Sequence, residues 1–71
     1  MVAEDASVST EFPREIGRTA RRVLALNGFT RYEQLTKVSA KELLKIHGVG
    51  PKAVRILGVE LATRGMNFAN Y

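Results

Sequence analysis

Apolar residues recur at helical spacing from residue 14 onward. Ile16, Ala20 and Leu24 lie four positions apart, which places them on one face of a helix. Gly28 follows, and glycine just after the last turn is the usual residue of a left-handed C-terminal cap. The pattern predicts a first helix over residues 14–26.

Two short helices are predicted next, each from a capping box. In such a box a Ser or Thr oxygen accepts the amide three residues on, and a Glu side chain there reaches back to the cap amide. Thr30 and Glu33 have this spacing, and so do Ser39 and Glu42. The boxes predict two brief helices with these apolar residues turned to the core: Tyr32 and Leu35 in one, Leu43, Leu44 and Ile46 in the other.

A glycine hairpin, Gly48-Val49-Gly50, separates the third helix from a fourth. Pro51 suits the first position of that helix, because its fixed φ fits and its missing N–H needs no partner there. Gly65 should end the helix in a Schellman cap. Its inward residues are predicted to be Val54, Leu57 and Leu61.

Gly58, in the middle of the fourth helix, leaves two interpretations open. Glycine there costs about 1 kcal/mol against alanine, so either another helix passes close to it or it is a tolerated exposed glycine. No segment alternates apolar and polar residues as a strand does. The predicted fold class is therefore all-α, a bundle of four to five short helices.

The chain divides into an arm and one domain. Residues 1–12 show no helical period and carry three acidic residues, so we expect a mobile, disordered acidic arm and a folded domain over residues 13–71. A chain of 71 residues without cysteine has room for one small core and no disulfides. The residues show neither a secretion signal nor an apolar run of about 20 residues. We therefore expect a cytoplasmic protein.

Charge is unevenly distributed along the chain. All eleven Lys and Arg residues follow residue 12, together with four of the seven acidic ones, so the predicted domain carries a net charge of +7. Such an excess on a small domain favours a polyanionic partner, usually nucleic acid.

The glycine hairpin is the strongest candidate for a binding site. Two glycines permit a tight turn of unusual φ and let a ligand approach the backbone, while Val49 between them is expected to turn inward. The amides that open the fourth helix have no helical partner, and the helix dipole adds partial positive charge there. That combination binds phosphate groups.

The candidate nucleic-acid contacts fall into two groups. Around the hairpin they are Gly48, Val49, Gly50, Lys52, Ala53 and Arg55. On the first helix Arg14, Arg18 and Arg21 or Arg22 would form a continuous stripe, of which we expect Arg18, Arg21 and Arg22 to reach DNA. The alternatives are a hairpin that serves only as a tight turn and a stripe that is an ordinary solvated helix face.

The hairpin region resembles a motif of many DNA repair and transcription proteins. Residues 43–57 are similar to the second half of a helix-hairpin-helix: an apolar pair, Gly-apolar-Gly, a basic residue two positions on, then a small residue. From Ile16 to Phe68 the chain resembles the C-terminal domain of the bacterial RNA polymerase alpha subunit. That family is a bundle of about four short helices that holds the minor-groove backbone of promoter DNA.

The resemblance implies contacts by Gly48, Gly50 and Lys52 with double-stranded DNA, and a role in transcription or nucleoid organisation. The chain departs from the family at three positions. Thr19 stands where the family has its groove-entering arginine, Arg22 replaces an asparagine, and Ala53 replaces a serine. The resemblance therefore implies backbone binding, largely independent of sequence.

Other functions fit the sequence less well. A protein-interaction module of the same fold, with RNA polymerase or a DNA-bound regulator as partner, remains an alternative, and RNA binding is a third. His47 has no cysteine or carboxylate at ligand spacing, and no cluster of Asp or Glu is present to hold a catalytic metal. We expect no enzyme activity, no metal and no cofactor.

Overall fold

The computed structural model describes residues 10–70, and within that range the chain is helical and has no β-strand. The prediction of an all-α chain is thus confirmed for the described part. A 3-10 turn precedes four short α-helices, which have these bounds: the turn Arg14–Ile16, α1 Arg18–Leu26, α2 Tyr32–Leu35, α3 Ala40–Leu44 and α4 Pro51–Thr63. Of these helices, none has both the length and the apolar character needed to cross a bilayer.

A single apolar core joins the helices. Its fully buried leucines come from each of the four: Leu24, Leu35, Leu43, Leu57 and Leu61. Burying each such side chain contributes about 1.5–3 kcal/mol, which is how helices of four or five residues persist. Leu44 is a correction to the predicted core, since it is 44% exposed. α3 is little more than one turn long, so only one residue of its leucine pair faces inward.

The predicted first helix is interrupted at Gly17. This glycine has φ +93°, a left-handed conformation that ends the 3-10 turn and sets the chain at a new angle before α1. Arg14 therefore lies outside the helix that carries Arg18. The helical spacing predicts a continuous stripe of arginines that starts at Arg14, and this prediction is wrong for Arg14.

The folded domain begins before residue 13. Phe12 is buried, and its ring meets the ring of Tyr32 edge-on, with 5.2 Å between the centroids. The Glu11 amide donates to the carbonyl of Thr30 (2.8 Å), and the Glu11 carboxylate accepts the amide of Tyr32 (3.0 Å). Both residues belong to the predicted arm, whereas the structure joins them to α2. The remainder of that arm, residues 1–9, lies outside the described residues.

One of the two predicted capping boxes is wrong. α2 begins after Arg31, and the side-chain carbonyl of Gln34 accepts the amides of Thr30 (2.7 Å) and Arg31 (2.9 Å). Glu33, one residue earlier, is exposed and does not fill this role. The box of α3 is confirmed: the Ser39 hydroxyl accepts the Glu42 amide (3.1 Å), and the Glu42 carboxylate accepts the Ser39 amide (3.2 Å).

The predicted cap at the end of α4 is confirmed. Gly65 has φ +75°, and the Met66 amide donates to the carbonyl of Leu61 (2.8 Å), the bond of a Schellman motif. The chain then folds back over the helix, so that a Cβ on Gly58 would lie 3.4 Å from the Phe68 ring. Gly58 is thus covered by this returning segment, which is neither of the two interpretations left open by the sequence.

Candidate functional site

The turn between α3 and α4 is built around Gly48 and Val49. Gly48 has φ +101°, which favours glycine strongly. Val49 is 5% exposed and its amide donates to the carbonyl of Ile46 (3.0 Å). The Val49 side chain is buried in the core as predicted, and its amide is already paired, so this residue can offer a ligand only its backbone carbonyl.

Gly48 also brings α1 against the turn. A Cβ on Gly48 would lie 3.2 Å from methyl carbons of both Thr19 and Val23. The backbone of the turn is therefore packed directly onto the α1 face that carries these two residues. Thr19, which interrupts the run of arginines in the sequence, has this packing role.

Gly50 differs from Gly48 in both respects. Its φ of −102° and ψ of 176° are extended values that any residue adopts, and a Cβ there would meet no atom within 4 Å. The expectation that both hairpin glycines need an unusual φ is wrong for Gly50. Neither the backbone conformation nor the packing of the described residues requires a glycine at this position.

The start of α4 is left without a cap. Gly50 is the N-cap residue and offers no side-chain acceptor, and Pro51 has no N–H. The helix ladder opens with the Val54 amide donating to the Gly50 carbonyl (3.1 Å). Within residues 10–70, the amides of Lys52 and Ala53 have no hydrogen-bond acceptor. These donors point along the helix axis away from α4, where its dipole is positive.

Two basic side chains belong to the first two turns of α4, next to this uncapped end. Lys52 and Arg55 are exposed and lie three residues apart on the outer face of α4, and neither has an ion-pair partner among the described residues. Ala53 is 4% exposed because its methyl group packs into the core, so only its backbone is available to a ligand.

The three α1 arginines are not equivalent. At about 100° per residue, Arg22 lies roughly 60° around the helix from Thr19, the residue that touches the turn. Arg21 lies roughly 160° away from Thr19, is half-buried, and has its Nε enclosed without a partner. Arg18 is exposed at an intermediate angle. Helix geometry thus places Arg22 closer than Arg21 to the α1 face that touches Gly48.

We call the surface at the start of α4, formed by Gly50, Lys52, the backbone of Ala53 and Arg55, the basic corner. Sequence reasoning missed one basic residue that lies nearby in the chain. Lys45 is exposed and lies in the segment that leads from α3 into the turn, two residues before His47, which is also exposed. The signal for Lys45 was its position directly after the last residue of α3, where the chain leaves the helix.

The opposite end of α4 carries a separate cluster. The Arg64 guanidinium donates to the Glu60 carboxylate (2.8 Å) and lies 4.1 Å from the centroid of the Tyr32 ring. Burial raises the pKa of Tyr32 above its usual value, and the nearby Arg64 charge opposes that rise. This cluster is satisfied internally, which distinguishes it from the unpaired groups of the basic corner.

No protein-family model matches this chain, and comparisons with curated proteins and with solved structures found no significant match. In residues 10–70, no three His, Cys, Asp or Glu side chains lie together as a metal site would require. The functional conclusion therefore depends on the geometry and charge of the basic corner.

Proposed function

We propose that this chain is a DNA-binding module that holds the sugar-phosphate backbone of a duplex at the basic corner, without catalysis. The observation that carries the proposal is the uncapped start of α4. There two amides lack an acceptor, and Lys52 and Arg55 stand beside them without counter-charges in the described chain.

A phosphate oxygen supplies what the corner lacks. Helix N-termini ordinarily have a Ser, Thr, Asp or Asn side chain that accepts these amides. Here Gly50 leaves that place empty, and the open space around it admits a ligand close to the backbone. A phosphodiester would accept the free amides, and its charge would be favoured by the dipole and by the Lys52 ammonium group.

The charge distribution supports a long, uniformly anionic ligand. The net charge of +7 after residue 12 exceeds what one phosphate needs. α1, which packs against the turn at Gly48, adds the exposed Arg18 and Arg22. Contacts to phosphate fix a protein on a duplex without reading its bases. The proposed binding is therefore largely independent of sequence.

The resemblance to the C-terminal domain of the RNA polymerase alpha subunit supports the choice of duplex DNA. The helix-hairpin-helix of that family corresponds to α3, the turn and α4, and the proposed phosphate contacts are those of Gly50 and Lys52. On this proposal the protein acts in transcription or nucleoid organisation in the cytoplasm, and RNA polymerase or a DNA-bound regulator is a further partner.

Fluorescence anisotropy with a labelled 20-base-pair duplex in about 50 mM salt tests the proposal. We expect micromolar binding by the wild-type chain and at least a tenfold loss for Lys52→Glu, because one favourable phosphate contact becomes a repulsion. Lys41→Glu is the matched control. This variant changes the net charge by the same amount. Lys41 is an exposed residue of α3 and lines a groove between that helix and residues 67–70.

Two results would contradict the proposal. One is the absence of binding by the wild-type chain at 50 µM protein. The other is an equal loss of affinity in Lys52→Glu and Lys41→Glu, which would show that net charge alone, and not the basic corner, accounts for the attraction.

A further inference from the structure

We infer that Asn27 is a site of spontaneous covalent modification, which converts its side-chain amide to a carboxylate when the C-terminal cap of α1 opens. The reacting groups are the Asn27 side chain and the backbone nitrogen of Gly28, and both residues are exposed to water. Asn67 and Asn70 are followed by phenylalanine and tyrosine, whereas Asn27 is followed by glycine. Because glycine has no Cβ, no side chain on residue 28 obstructs attack by its nitrogen.

The reaction runs through a cyclic imide. The Gly28 backbone nitrogen gives its proton to solvent base and attacks Cγ of Asn27. The N–Cγ bond forms and the Cγ–Nδ2 bond breaks, while the side-chain nitrogen takes up a proton and leaves as ammonia. Water then opens the imide at Cγ, which gives aspartate, or at the backbone carbonyl carbon, which gives isoaspartate. The net change is the addition of water and the loss of ammonia.

The cap of α1 engages the nitrogen that has to react. The Phe29 amide donates to the carbonyl of Leu24 (2.8 Å), and the Gly28 amide donates to the carbonyl of Ala25 (3.0 Å). These are the two bonds of a Schellman motif, and Gly28 has the left-handed φ of +89° that the motif requires. While the motif is closed, the Gly28 proton is therefore held by a helix carbonyl.

The conformation of Asn27 also keeps the reacting groups apart. Its ψ of 10° places the Gly28 nitrogen next to the Asn27 nitrogen, whereas ring closure needs the Gly28 nitrogen next to the Asn27 Cβ. The Asn27 Nδ2 donates to the carbonyl of Val23 (2.7 Å), which holds the side chain against the last turn. The imide therefore forms only after the cap opens, and helix ends open more readily than a protein core.

The product prevents the cap from closing as before. Aspartate at position 27 loses the bond from Nδ2 to Val23 and places a carboxylate at the negative end of the α1 dipole. Isoaspartate adds a carbon to the main chain, so the spacing of the Schellman bonds is lost. Methyl carbons of Val23 lie 3.2 and 3.3 Å from the position of a Cβ on Gly48. Loosening the end of α1 therefore also affects the turn before α4.

The test follows the full wild-type chain during incubation at mildly alkaline pH, in native buffer and in concentrated urea. Cleavage by trypsin separates Asn27, in the fragment 23–31, from Asn67 and Asn70, in the fragment 65–71. Mass spectrometry measures the deamidation of each fragment, and chromatography separates the aspartate and isoaspartate forms. Asn27→Gln is the control variant, because its longer side chain would have to close a less favourable six-membered imide.

We expect the fragment 23–31 to react first under both conditions, and at least tenfold faster in urea, where the cap is absent. After incubation in native buffer, the ¹H–¹⁵N NMR resonances of residues 23–29 and of Gly48 should have moved in the wild type and should be unchanged in Asn27→Gln.

Three results would overturn the inference. If the fragment 65–71 reacts as fast as the fragment 23–31 under either condition, Asn27 is not a preferred site. If the fragment 23–31 reacts at equal rates in urea and in native buffer, the cap does not control the reaction. If Gly48 keeps its resonance in the deamidated chain, the modification does not affect the turn.

Discussion

Two glycines two residues apart serve different purposes in this protein. Glycine is needed at position 48 because its φ is left-handed and because methyl groups of Thr19 and Val23 pack against it. Neither reason applies at position 50, where the lack of a side chain leaves the start of α4 open. The contrast separates a residue that supports the fold from one that we assign to binding.

Gly48→Ala is expected to destabilise the fold by about 1–3 kcal/mol. The substitution places a Cβ in a left-handed conformation and within 3.2 Å of two methyl carbons on α1. Urea denaturation followed by circular dichroism measures this change. Stability equal to that of the wild type would mean that the turn does not depend on its left-handed residue.

Gly50→Asp is expected to have two effects of opposite sign. An aspartate cap and a less flexible unfolded chain should raise the free energy of unfolding by about 0.5–1 kcal/mol. The same carboxylate should occupy the free amides and repel phosphate, so that duplex affinity falls at least tenfold. Denaturation and anisotropy on one preparation measure both effects. A more stable protein with undiminished affinity would contradict the assignment of Gly50 to binding.

Tyr32 gives a pH dependence that is independent of the basic corner. Burial raises the pKa of Tyr32 in the folded protein above its usual value of 10.0, so the unfolded chain releases this proton more readily. The stabilising contribution is therefore complete below pH 10 and is lost as the pH rises through the folded pKa. Between pH 9 and 11, the urea midpoint should fall further for the wild type than for Tyr32→Phe. Parallel curves would contradict this.

At the scale of the helices, α1 presents its arginines in two directions. Arg22 lies closer around the helix than Arg21 to Thr19 and Val23, the residues that touch Gly48. Arg22→Glu should therefore weaken duplex binding several-fold more than Arg21→Glu, although both variants lose the same charge. Anisotropy measures the difference, and circular dichroism checks that both variants fold. The reverse order of affinities would place the DNA on another face of α1.

The N-terminal boundary can be tested by two truncations. Removing residues 1–9 leaves the contacts of Glu11 and Phe12 with α2 in place, so the stability should stay within about 0.5 kcal/mol. Removing residues 1–12 deletes a buried phenylalanine, which costs about 3–5 kcal/mol and should bring the domain close to unfolding. Thermal denaturation midpoints of the two truncated proteins and the wild type measure these changes in stability. Equal midpoints would show that the domain begins at residue 13.

The helices that could be predicted from the sequence are those whose ends depend on local chemistry. The Ser39 and Glu42 box and the Gly65 cap are confirmed because each involves residues a few positions apart. The break at Gly17 could not be predicted, since an apolar period continues across it. Nor could the role of Phe12, which depends on a contact with Tyr32 made only in the folded chain.

The candidate site shows the same division. Inward burial of Val49 and exposure of Lys52 follow from the local pattern of the turn and helix. The choice between Arg21 and Arg22 does not, because it depends on which face of α1 meets the turn. The distinction between Gly48 and Gly50 likewise needed the backbone angles and the neighbouring atoms.

For the whole molecule, an interaction with phosphates predicts a steep dependence on salt. If four to six phosphates are neutralised, the logarithm of the duplex association constant should fall with the logarithm of salt concentration at a slope of roughly −4 to −5. Anisotropy between 50 and 200 mM salt measures the slope, and Lys52→Glu should reduce its magnitude by about one. A slope near zero would indicate an interface without phosphate contacts.

On the proposed function, the amides that open α4 receive a phosphate of the duplex. A titration of the ¹⁵N-labelled chain with a short duplex, followed by ¹H–¹⁵N NMR, observes these amides themselves. We predict the largest shifts at the amides of Lys52 and Ala53, with further shifts at Gly50 and Arg55. Saturating duplex that leaves these four resonances in place, or shifts only residues on the far side of α1, would contradict a phosphate site at this helix start.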